Sequence, residues 1–209
     1  MSSPLSVVRV THRELKFFNA DSLHGEQTGG PTLEYYRVSA APPGKHDVSR
    51  CKDYEKAWRA AFPKVIESLT EPGEAALACA SGPMLSGCLP AVFPHAFDDE
   101  IRYHVEGVTL SEAEGYRTSW ITFESKSSSL IALMAETDLD LESVRLTILL
   151  LRDHLVSEVL KTRFCDITPD WIVANGAILL PSLRHFEGCF VVGSSPIVSS
   201  RIRRISDLK

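Results

Sequence analysis

Cys79 and Cys88 bracket a segment rich in Gly and Pro, and a thiol in such a setting is the first group to weigh as a nucleophile. A cysteine attacks as its thiolate, which needs a neighbouring His or a helix N-terminus to stabilise it. Nothing in the spacing puts either one beside Cys79 or Cys88, so both read as core thiols. A small α/β enzyme using one of them for thiol-dependent or acyl-transfer chemistry stands as the opposing class. Ser81 and Ser86 lack the G-x-S-x-G frame that exposes a hydrolase serine on a strained turn. Gly193-Ser194-Ser195 runs into Pro196 without the Lys of a phosphate-binding loop, and no dinucleotide fingerprint occurs. The seven His lie at 12, 24, 46, 95, 104, 154 and 185, too scattered to suggest metal-ligand spacing. His104 and Glu106 share a strand face at best, and Asp153-His154 is an isolated pair; surface or structural roles suit them better than ligand or base. No catalytic residue, metal or cofactor is therefore expected.

The composition belongs to a globular protein: 209 residues, 44% hydrophobic, 23% charged, formal net charge −5. That length allows one large domain or one domain with appendages. The five Cys, at 51, 79, 88, 165 and 189, are odd in number and have no C-x-x-C pair, which reads as reduced thiols. Arg9, His12, Arg13 and Lys16 interrupt the N-terminal apolar character, so no secretory segment is expected. The apolar run at 147–151, like every other in the sequence, is far short of the roughly 20 residues needed to cross a bilayer. A cytoplasmic protein, free or peripheral on the cytosolic face of a membrane, is the expectation. The acidic balance disfavours nucleic acid as a partner.

The elements that must position these residues come in a definite order. Residues 5–18 suit a strand with an extension, 19–31 an exposed loop, and 32–40 (TLEYYRVSA) a second strand, with Leu33, Tyr35 and Arg37 on one face and Tyr36 and Val38 on the other. The spacing of Tyr54, Ala57 or Trp58, Ala61 or Phe62, Val65 and Leu69 predicts a helix over 50–69, kinked or broken near Ala61 because of Pro63. Residues 75–97 form a Gly/Pro-rich insert, of which 75–80 reads as a short buried strand or helical turn. Strands follow at 101–108, 116–124 and 129–137. Leu141, Val144, Ile148, Leu151, Leu155 and Val159 then step by three and four, with Asp140 as cap and Lys161 and Arg163 at the end, predicting a long helix over 140–159.

Leu146, Leu149 and Leu150 widen that helix's apolar surface beyond one stripe, so part of its cover is expected from another chain. Trp171, beside Pro169 and Asp170, is the candidate for an exposed aromatic anchor. Residues 197–209 carry Arg201, Arg203, Arg204 and Lys209 against Asp207; they read as a basic, solvated and partly disordered tail, with a partner or membrane-surface contact through Arg201, Arg203 and Arg204 as the sharper reading.

The order of two strands, a helix, an insert, three strands and a long apolar helix resembles the longin superfamily of membrane-trafficking proteins. The stretch that carries the likeness is 116–159, with its strand, turn, "LIAL" run, acidic break and long helix. In layout the chain is most similar to the small (sigma) subunit of the fifth adaptor-protein complex, through Leu149-Leu150-Leu151-Arg152-Asp153-His154-Leu155 and the apolar run after Gly176, Ala177 to Leu180. The resemblance implies an α+β fold, a longin-like antiparallel sheet of about five strands packed between helices. It places a longin-like domain at 1–163, an extension packing on it at 164–196 and the basic tail at 197–209. The implied function is a non-catalytic small subunit of a vesicle-coat adaptor, bound to larger subunits and held peripherally on endosomal or other vesicle membranes. A longin subunit of a Rab guanine-nucleotide exchange factor or of a ciliary effector complex is the alternative within the superfamily.

Overall fold

The structure is a computed structural model, and it describes residues 5–11, 32–42, 48–83, 101–104, 116–123, 145–159, 167–181, 183 and 187–206, with the side chains of 78–83, 101–104, 116–123 and 145–146 left out. The elements are β1 (Ser6–Val10), β2 (Leu33–Ser39), α1 (Cys51–Leu69), β3 (Glu74–Pro83), β4 (Ile101–His104), β5 (Tyr116–Phe123), β6 (Arg145–Arg152), α2 (Val156–Val159), α3 (Pro169–Asn175), β7 (Ile178–Pro181), β8 (Gly188–Ser194) and α4 (Ser195–Ser206). The fold is α+β. Among the described residues a single sheet holds eight strands in the order β1-β2-β8-β7-β6-β3-β5-β4, every pair antiparallel, where about five were expected.

The alternation in β2 folds as its pattern demands. Val38 belongs to the core on one face of the sheet and Leu33 to the core on the other. The helix over 50–69 is also present, as α1, and it runs through Pro63 without a break. Tyr54, Trp58, Phe62, Pro63, Val65, Ile66 and Leu69 are its buried residues. Trp58 and Phe62, one turn apart, sit with ring centroids 5.3 Å from each other. Beneath them lie Val38, Ile148, Leu150, Ile178, Leu180, Cys189 and Val191 from the sheet, with Val198, Ile202 and Ile205 of α4 alongside. The opposite face gathers Leu33, Leu77, Leu149, Leu151, Leu179, Phe190 and Val192 under Val159 of α2 and Ile172 of α3. Helical segments thus cover both faces.

The long helix over 140–159 is not formed. Residues 145–152 are the strand β6, followed by a 3-10 turn (Asp153–Leu155) and the single turn α2; residues 140–144 lie outside those described. The cause lies in position. β6 is paired on both sides, with β3 and β7, and its residues alternate between the two cores, Ile148 and Leu150 to one, Leu149 and Leu151 to the other. A strand buried on both faces needs apolar residues at every position, and a continuous apolar run contains the 3-4 spacing of a helix as readily as the alternation of a strand. Within the expected extension at 164–196, β7 and β8 are inner strands of the sheet, lying between β6 and β2.

The strand expected over 116–124 forms as β5 and that over 101–108 begins as β4, while the strand over 129–137 lies outside the described residues. The first nine residues of the Gly/Pro-rich insert belong to β3, and 84–97 lie outside the described residues. The Asn175-Gly176 signal marks the end of α3, where Gly176 takes φ 61° as a left-handed C-cap, and Thr168 caps the start by accepting from the Trp171 N–H.

Gly188, where β8 meets β2, has no room for a side chain. A Cβ there would stand 2.3 Å from the Val38 carbonyl oxygen, 2.7 Å from Ser39 Cβ and 2.8 Å from Leu183 Cδ1. Gly188→Ala is expected to cost about 1–3 kcal/mol through overpacking, read as a lowered urea midpoint with an unchanged slope.

Candidate functional site

Among the described residues two clusters gather ionisable and polar side chains along α4. At its first turn sits Glu34, buried on β2. Its Oε1 accepts from Arg9 Nη2 at 2.8 Å and from the Ser195 hydroxyl at 3.0 Å; its Oε2 accepts from the Ser199 hydroxyl at 2.6 Å and from the Tyr36 hydroxyl at 3.1 Å. The strand period sets this up, because Glu34 and Tyr36 stand two apart on the face that α4 covers. The Ser199 hydroxyl holds the Glu34 carboxyl below its usual range, against the opposing pull of burial, with Ser195, Tyr36 and Arg9 adding to the lowering. A carboxylate so stabilised is a weak base. It anchors the serines rather than activating either of them.

The second cluster lies midway along α4. Arg201 is 5% exposed and grips Glu74, itself 3% exposed, with both ends of its guanidinium: Nη1 to Oε2 at 2.6 Å and Nη2 to Oε1 at 2.7 Å. Its Nη1 also donates to the Leu69 carbonyl at 2.7 Å, one of the last in α1. Glu74 Oε2 accepts from the Glu71 N–H at 2.8 Å as well, closing the turn at 71–74. Arg204 pairs with Glu71, whose carboxyl is held low first by that hydrogen bond and then by the charges of Arg204, Arg201 and Arg152. Gly73 makes the turn possible with φ 77°. The cluster therefore supplies a cationic cap to the C-terminal end of α1, where the helix dipole is negative.

The residues singled out from the sequence fall elsewhere than expected. Arg201, Arg203 and Arg204 do not lie in a disordered tail: residues 195–206 are helical, Arg201 and Arg204 are engaged with Glu74 and Glu71, and Arg203 is exposed. Leu149 and Leu150 are not an interface stripe, because each is fully buried, one on either face of β6. Leu146, also in β6, pairs with Ala80 of β3, its side chain outside those described. Trp171 is half-buried against the core beneath α3 rather than standing free. Sequence reasoning missed Glu34, Glu74 and Glu187, which is also buried. A Glu inside an otherwise apolar strand, as in LEYYRVS and EAALACA, was the available signal.

Of the cysteines, Cys189 is fully buried on β8, and burial pushes its thiol up, away from thiolate chemistry. Cys51 opens α1 half-buried, Cys79 lies inside β3 opposite Trp120 and Thr147, and Cys88 and Cys165 are outside the described residues. His104 ends β4, and Asp153 and His154 are exposed in the turn after β6. Among the described residues no group of His, Cys, Asp and Glu is arranged to hold a metal ion.

Arg201→Ala leaves Glu74 charged and buried without its partner, and a loss of about 3–5 kcal/mol is expected in urea unfolding. Replacing both partners, Arg201→Met with Glu74→Leu, is expected to recover most of that loss. For Glu34 the sign follows from its lowered pKa: the stability it contributes is complete above the unfolded-chain value of about 4.3 and disappears as the pH falls through the lower folded value. Glu34→Gln is expected to cost about 1–3 kcal/mol at neutral pH and to flatten the acid limb of a stability profile taken from pH 7 to 3. Comparison of the chain with protein-family models, with curated proteins and with solved structures returns no match.

Proposed function

We propose that this chain is a non-catalytic subunit that works by assembling with other proteins, and that the assembly is a membrane-trafficking complex of the longin type, with a sigma-like place in a vesicle-coat adaptor. The observation that carries the non-catalytic reading is the use made of the gathered polar groups: Glu34, Ser195, Ser199, Glu71, Glu74, Arg201 and Arg204 all hold α4 in place. The trafficking reading rests on the N-terminal order of hairpin, helix and antiparallel strands, and on helices over both sheet faces. Its support no longer includes a long apolar helix after the central strands, since that segment is β6.

The place that best suits a partner is the β1 edge. Among the described residues β1 pairs with β2 alone, Val8 is the exposed large hydrophobic, and the strand's one charge, Arg9, pairs with Glu34 while its side chain stays largely exposed. An edge of this kind can accept a strand from another chain. No helix among the described residues is long and apolar enough to cross a membrane, so membrane association in this proposal is peripheral and runs through the complex.

A tagged chain recovered from cells is expected to bring down large coat subunits in fixed proportion. Recovery of a second longin-type chain with a Rab would move the assignment to an exchange factor or ciliary effector complex. A stable monomer with no stoichiometric companion would overturn the assembly reading. Thiol labelling of the native protein tests the opposing class: Cys189 is expected to stay protected until unfolding, and a single fast-reacting Cys79 or Cys88 near neutral pH would instead indicate an enzyme.

A further inference from the structure

We draw no further inference here: the strongest candidate, the Glu34 carboxylate with the Ser195, Ser199 and Tyr36 hydroxyls at the first turn of the C-terminal helix, is a cluster whose polar groups bind one another, and nothing else at that helix N-terminus points to a ligand.

Discussion

The pairing of Arg201 with Glu74 is the constraint on which the arrangement of this molecule depends. It joins the last helix to the start of β3, residues 127 apart in the chain, and it does so inside the protein, with both side chains almost fully buried. Its worth is not mainly in net stability. Removing two charges from water costs several kcal/mol each, and an apolar pair of equal volume often does as well. What the pair supplies is discrimination among packings. The apolar residues of α4, Val198, Ile202 and Ile205, would be satisfied by many placements against the sheet, whereas a buried guanidinium has few places where every donor finds an acceptor. Here Glu74 and the Leu69 carbonyl accept from three of its five N–H groups.

A second carboxylate removes the freedom that remains. Glu34 holds Ser195 and Ser199 at the first turn while Glu74 holds Arg201 further along, so α4 is fixed at two points along its length. A slide by one turn, about 5.4 Å, would strand both carboxylates at once. The close approach of α4 to β8 follows from the same seating: a Cβ on Gly193 would stand 2.8 Å from Val198 Cγ2 and 3.1 Å from the Ala177 carbonyl oxygen. Because β8 pairs with β2, this helix and the N-terminal hairpin are parts of one packing unit, although they come from opposite ends of the chain.

The sequence was most legible where an element has one wet face. β2 alternates, α1 has a helical stripe, and both were placed within a residue or two. It was least legible at the centre of the sheet. In β6, β7 and β8 both faces are covered, burial erases the polar half of the pattern, and period alone no longer distinguishes strand from helix. Thr147 and Ile148, β-branched and adjacent, were the local hint that 145–152 is extended. The Arg-rich end is illegible for a different reason. A sequence shows charge but not its partner, and the carboxylates that bind Arg201 and Arg204 lie at 74 and 71, in the turn that follows α1. The Glu34 cluster was hidden likewise, since its serines are 161 and 165 residues away.

This reordering changes where an interface would have to be. An apolar surplus in 145–151 argued for a partner covering part of a helix. As an inner strand β6 already has neighbours on both sides and cores on both faces, so Leu149, Leu150 and Leu151 need no second chain. Any assembly function must then use surface outside the central strands. Main-chain hydrogen bonding favours a sheet edge for that purpose, because inner strands have no donors or acceptors left to offer. At β1 the usual defence against a foreign strand is an exposed charge, and Arg9 is the strand's charged residue. Its guanidinium is held by Glu34, the same carboxylate that seats α4. The edge and the C-terminal helix thus share one acidic group, so a strand that drew Arg9 away would also alter the charge balance at the first turn of α4.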